Sequence, residues 1–181
     1  MIYVFLAKGF EEIEALTVVD YLRRAELEVY TVGIGGKIIT GSHNIPVFCD
    51  LEENEISLSE DIDAIVLPGG MPGTLNLEAN KTVNQFIDYC STTDKYICAI
   101  CAAPSILGHK GLLKERKACC FPGFENELDG ATVCEDFVCT DGKYITAKGM
   151  GSAIEFSREI VNVLLDKFTA DRIRASLQCP F

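Results

Sequence analysis

Continuously apolar runs alternate along the chain with stretches whose apolar residues recur at helical spacing. Residues 2–7, "IYVFLA", are apolar throughout, as expected of a strand buried on both faces. Between Glu11 and Ala25, the residues Ala15, Val18, Val19, Leu22 and Ala25 fall on one helical face. "LEVYTVGI" (27–34) reads as a second strand, and residues 37–49 as a short hairpin closed near Gly41, with Pro46 at an edge. "DAIVLPGG" (63–70) is a buried strand ending in a Gly-Gly turn, and the helix after it carries Val83, Phe86, Ile87 and Cys90 on one face. "KYICAI" (95–100) is the next strand, and Pro104 suits the first turn of the helix that follows. Residues 118–147 read as short β pieces separated by "PGF", "DG" and "DG" turns. A strong amphipathic helix is expected from about Ser152 to Phe168, with a shorter one after it.

This alternation predicts an α/β fold with a mainly parallel sheet and helices on both faces. The 181 residues suit one domain, 1–181, without repeat or linker. In such folds ligands gather outside the carboxyl ends of the strands. Three segments with unusual residues fall there: Gly9–Glu14, Gly69–Gly70 and Cys101–Ala103.

Charge narrows the partners. A formal net charge of -11 argues against nucleic acid or an anionic membrane surface. The acidic residues at 52–61 and 125–129 read as solvated loops, not metal sites. The first apolar run is too short for a signal or membrane segment, so a cytoplasmic protein is expected. Its nine cysteines then need not form a disulfide framework, and most should behave as small buried hydrophobes.

"CAIC" (98–101) invites a redox or metal reading. If Cys98 lies in the strand and Cys101 just past it, three extended steps place them roughly 10 Å apart, beyond the limit of about 7 Å for a disulfide. A zinc site would need a second cluster, and the adjacent pair Cys119–Cys120 chelates poorly. Cys98 is therefore expected in the core. Cys101 follows a buried strand and precedes two alanines and a proline, the setting of a nucleophile elbow. A helix N-terminus there would lower its pKa and offer N–H groups to an oxyanion. Of the two histidines, His109 is expected to mark a helix end. Glu14, at the same sheet edge, is the better partner for Cys101, while Glu11 and Glu12 are left to the helix dipole.

"AKGFEEIEALTVVDYLRRA", "AIVLPGGMPGTLNL", "AICAAPSIL" and "TAKGMGSAIEF", in this order and across nearly the whole chain, resemble the ThiJ/PfpI superfamily. The resemblance is to the branch with the parkinsonism-associated protein deglycase and bacterial ThiJ-like proteins. It implies a flavodoxin-like α/β sandwich, homodimeric through helix 1 and the hairpin after strand 2, where "VVDYLRRAE" carries Tyr21 and Leu22. It further implies a reactive Cys101, a protonated carboxyl partner in Glu14, and backbone N–H donors at Gly70 and Ala102. Gly69, Met71, Phe121 and His43 would line the pocket. No cofactor and no metal are implied.

The departures carry information too. Relatives with the clearest aldehyde activity have a histidine where Phe121 stands, and a polar residue where Met71 stands. An arginine near the dimer interface is matched by His43. The histidine that follows the cysteine in peptidase-like relatives is replaced by Ala102, and the His-x-Glu of amidotransferases is absent, which argues against both activities. Two readings follow. One is a cofactor-independent glyoxalase or deglycase-like enzyme acting on methylglyoxal, related reactive aldehydes or their glycated adducts. The other is a non-enzymatic oxidative-stress sensor and chaperone that uses oxidation of Cys101.

Overall fold

The computed structural model describes residues 1–179. Its elements are, in chain order, β1 (Ile2–Leu6), α1 (Glu12–Arg24), β2 (Val29–Gly33), β3 (Ile38–Thr40), β4 (Pro46–Phe48), β5 (Leu51–Glu52), β6 (Ala64–Leu67), α2 (Gly73–Ala79), α3 (Lys81–Thr92), β7 (Tyr96–Ile100), α4 (Pro104–His109), β8 (Lys117–Ala118), β9 (Thr132–Val133), β10 (Val138–Asp141), β11 (Tyr144–Ala147), α5 (Ala153–Leu164) and α6 (Lys167–Ser176). Pro180 and Phe181, the end of the expected domain 1–181, lie outside the described residues.

Seven strands form one sheet in the order β10-β11-β7-β6-β1-β2-β5. Within it β10 pairs antiparallel with β11, and every other pairing is parallel. Period-two alternation divides each strand between two cores. In β1, Ile2, Val4 and Leu6 join the core under α1, α5 and α6, with Ala15, Leu22, Phe156 and Ile173. Tyr3 and Phe5 join the opposite core, with Leu77, Phe86, Ile87 and Ile106 from α2, α3 and α4. This is the flavodoxin-like sandwich that the motifs imply.

Local sequence explains the helix starts. Asn80 accepts from the Val83 N–H at 2.9 Å, and Asp166 from the Thr169 N–H at 2.7 Å. The second cap corrects one expectation: the helix from Ser152 does not reach Phe168. It stops at Leu164, and Asp166 starts α6, which leaves Phe168 exposed. Two elements carry no periodic signal long enough to find, the two-residue β5 and the seven-residue α2. Within 118–147, the piece Tyr144–Ala147 is a fully buried strand of the main sheet. The hairpin after β2 forms as expected, with β3 antiparallel to β4 and Pro46 in its edge. Among the described residues no helix is long and apolar enough to cross a membrane.

Candidate active site

The carboxyl ends of β1, β6 and β7 bring the three expected segments together. Cys101 follows β7 directly and holds φ at +66°, a left-handed conformation that a non-glycine residue rarely adopts. Its backbone is fixed on both sides: its N–H donates to the Ala147 carbonyl at 2.9 Å, and its carbonyl accepts from the Phe121 N–H at 2.8 Å. The elbow turns the side chain out of the sheet, where it is half-buried. Cys98, three residues earlier, lies fully inside the core, and both cysteines are free thiols.

The thiol of Cys101 faces the Glu14 carboxyl, close enough for each to shift the other's titration. Glu14 sits in the first turn of α1, whose cap is the Glu11 carboxylate accepting from the Glu14 N–H at 2.7 Å. The Glu14 side chain is 1% exposed, and its Oε2 accepts from the Gly69 N–H at 2.9 Å. The Met150 N–H also bonds this carboxyl, a contact the sequence reading did not anticipate. Gly69 is required here. A Cβ at that position would stand 2.5 Å from the Cys101 Cβ and 2.6 Å from Glu14 Oε2. The Gly70 and Ala102 N–H groups lie near the Cys101 sulfur and favour its anion.

Burial pushes the Glu14 carboxyl up to about 7, against hydrogen bonds from Cys101, Gly69 and Met150 that favour its anion. Burial, then the Glu14 charge, pushes the Cys101 thiol up to about 12; the two backbone N–H groups offset only part of this. The lowered thiol pKa expected from a helix N-terminus is therefore corrected. Residue 101 lies three positions before α4, a helix of only six residues, and burial of the thiol, followed by the Glu14 charge, dominates. Near neutrality the thiol therefore keeps its proton while the carboxyl is the group that titrates.

Phe121 stands beside this pair: a Cβ on Gly149 would lie 3.3 Å from the Phe121 ring and 3.7 Å from Glu14 Oε1. From there a groove of about 370 Å³ runs between Phe121, Phe137 and Met150. Met71 is exposed just past Gly70. His43 goes elsewhere. Its polar partners are Ser42, Glu12 and Glu11.

Glu12 contradicts the helix-dipole reading. It is 2% exposed and clamps the β3–β4 turn, accepting from the His43 N–H at 2.8 Å, the Ile45 N–H at 3.4 Å and the Ser42 hydroxyl at 3.2 Å. Its Oε2 also meets His43 Nδ1 at 3.0 Å. A signal was present: Glu12 falls on the same stripe as Ala15, Val19 and Leu22. Donor atoms of Glu11, Glu12 and His43 lie within 4.8 Å of one another, but both Glu12 oxygens are already occupied by these hydrogen bonds. His109 ends α4, as expected, held between Glu78 and Glu127.

Comparison with known proteins places these features in context. A family model described as the DJ-1/PfpI family matches residues 1–163. The chain is 34% identical over 175 residues to Protein DJ-1 homolog B of Arabidopsis thaliana, using 95% of its own length but spanning only 40% of that relative. It is 30% identical over 161 residues to Deglycase PfpI of Pyrococcus furiosus, covering 87% of this chain and 95% of that protein. The solved structure of oxidized Toxoplasma gondii DJ-1 superposes with a TM-score of 0.94 at 33% identity, covering 99% of this chain and 98% of that one.

Proposed function

The chain belongs to the DJ-1/PfpI family, and from that premise we propose that it is a cofactor-independent, cysteine-dependent enzyme of the glyoxalase or deglycase type. Its substrates would be methylglyoxal, related reactive aldehydes and their glycated adducts. One observation carries this reading: a half-buried thiol on a left-handed elbow faces a carboxyl that is 1% exposed and that burial pushes up to about 7.

The proposed chemistry follows from who holds the proton. As the Cys101 sulfur adds to the aldehyde carbon, its proton passes to the Glu14 carboxylate. The Gly70 and Ala102 N–H groups stabilise the oxyanion that develops. The oxyanion takes that proton from Glu14 to give a hemithioacetal, which restores the Glu14 carboxylate. Glu14 then removes the proton from the former aldehyde carbon and returns one to the neighbouring carbon. The product is a lactoyl thioester, which water cleaves to lactate and free Cys101.

A homodimer in the cytosol belongs to the same proposal. Tyr21 and Leu22 cannot make its interface, because both are buried within the protomer and the Tyr21 hydroxyl donates to the Ala170 carbonyl. Exposed Ile13 and Leu16 of α1 and Ile45 and Phe48 of the hairpin offer an apolar face instead. Free thiols throughout fit a reducing compartment.

The test is lactate release from methylglyoxal without glutathione or added metal. The wild type should produce it and Cys101→Ala should not, since among the described residues no other thiol stands beside the Glu14 carboxyl. Phe121→His should raise the rate on the order of 10-fold by adding a proton carrier, below the ~10²–10⁴ of a fully positioned acid–base group. The second reading, a sensor and chaperone oxidised at Cys101, is favoured by the apolar Phe121 and Met71, which bring no second proton-transfer group to the thiol. Equal lactate from wild type and Cys101→Ala, or none from either, would leave that second reading in place.

A further inference from the structure

A second group of cysteines lies outside the site of Cys101. The Cys134 thiol lies near those of Cys119 and Cys139, close enough for the three to influence one another's titration. Three different segments supply these sulfurs: the end of β8, the end of β9, and β10. From this geometry we propose that Cys134 is the peroxide-reactive thiol of a three-cysteine site and closes a disulfide with Cys119 or Cys139.

Backbone register makes the first pairing possible. β8 and β9 run parallel with Lys117 opposite Thr132 and Ala118 opposite Val133. The Cys134 N–H donates to the Ala118 carbonyl at 2.9 Å, which completes the Ala118–Val133 bridge and leaves Cys119 and Cys134 as the next residue of each strand. Cys134 therefore stands opposite Cys119, with both side chains on the same face of the pair. Neighbouring strands lie about 4.8 Å apart, inside the Cα range of about 4.4–6.8 Å that a disulfide accepts. The second pairing closes the short connection from Cys134 to Cys139 at the start of β10.

Accessibility assigns the roles. Cys119 and Cys139 are buried, whereas Cys134 is half-buried in the connection between β9 and β10. A hydroperoxide would reach Cys134 first and convert its thiol to a sulfenic acid, releasing an alcohol or water. The neighbouring thiol then attacks that sulfur, the S–S bond forms, and its proton leaves with the hydroxyl as water. A metal is a poorer occupant. Sulfurs around one zinc ion would sit within about 4 Å of each other, at Zn–S distances of about 2.3 Å. Among the described residues, the group of three donors converging within 4.8 Å is Glu11, Glu12 and His43, so the three sulfurs do not converge.

The experiment treats full-length protein with low equivalents of hydrogen peroxide and maps alkylated, unreduced peptides by mass. The expected result is a Cys134–Cys119 or Cys134–Cys139 disulfide, formed equally in wild type and in Cys101→Ala. That background separates this site from the proposed enzyme, which Cys101→Ala would silence. Cys134→Ser, at a half-buried position, should leave Cys119 and Cys139 reduced. Cys119→Ala and Cys139→Ala should each retain the other bond, and should either fail to fold, differential alkylation of Cys134 in the wild type gives the same answer. The proposal is overturned if Cys134 ends as a sulfinic acid without a crosslink, stays reduced, or if crosslinking survives Cys134→Ser.

Discussion

Glu12 and Glu14 begin the same helical turn, both are almost fully buried, and their carboxyls are driven in opposite directions. For Glu12, burial pushes the pKa up, but hydrogen bonds from the His43 side chain, the His43 N–H and the Ile45 N–H more than offset this and leave it below its ordinary value. For Glu14, burial wins, and the carboxyl rises to about 7 beside the Cys101 thiol. Two residues of sequence separate a clamp from the proposed proton carrier. The difference lies in what each carboxyl meets: a turn with three donors and a facing imidazole, or the Gly69 N–H beside a weakly acidic thiol and the Glu11 charge. The balance of donor supply against depth of burial decides which of the two acids stays ionised.

The comparison breaks most visibly at Glu14. Glu14→Gln keeps the shape and removes the proton carrier, so turnover of methylglyoxal should fall roughly 100-fold or more. Stability should move the other way. A carboxyl raised from 4.5 to about 7 binds its proton more tightly in the folded state, so it lowers stability as pH rises from 4.5 through 7. Glu14→Gln should then be more stable than wild type at pH 8 by roughly 1–3 kcal/mol, and the gain should vanish near pH 4. Denaturant melts at the two pH values read this directly. A variant that loses stability at pH 8 would mean that the Glu14 anion is well solvated by its donors.

Glu12→Gln is the converse. It removes a charged acceptor from the hairpin turn and should cost about 1–3 kcal/mol at pH 6, with turnover per folded molecule little changed. A large loss of turnover with unchanged stability would erase the distinction between the two glutamates. Because the same turn presents Ile45, this variant should also weaken the proposed dimer, as measured by sedimentation across a dilution series.

How much of this was legible beforehand depends on the range of the interactions. The apolar runs of β1, β6 and β7 are local, and so is the elbow signature of small residues after a buried strand. From them the sheet, Cys101 and Glu14 could be placed. The clamp was not visible in the same way, since its donors at 42–45 lie thirty residues from Glu12 and nothing local specifies that contact. The thiol pKa was misjudged because a helix dipole is a local inference, whereas the desolvation that overrides it comes from four segments meeting in space. The Cys119–Cys134 pairing is likewise a matter of register between two two-residue strands, each too short to show a period.

His43 gives the finest test of the contrast. Its pKa is raised by its hydrogen bond to Glu12 and by the Glu12 charge, against a small desolvation effect. A raised histidine contributes stability that is fully present below its ordinary value of 6.5 and is lost as pH rises through the raised one. Glu12, lowered in the fold, contributes stability present above its ordinary 4.5 and lost as pH falls through the lowered value. The clamp should therefore be strongest between about 4.5 and 6.5, where both partners are charged. The His43 side chain is 70% exposed, so water and salt screen the pair and the effect should be small. His43→Gln keeps the N–H that reaches Glu12 and removes the titrating ring. Its unfolding midpoint should fall below that of the wild type at pH 5.5, and the two should converge by pH 9. Added salt should narrow the gap at pH 5.5. A gap of equal size at both pH values would show that the imidazole holds the turn by packing and a neutral hydrogen bond, with no charge pairing between His43 and Glu12.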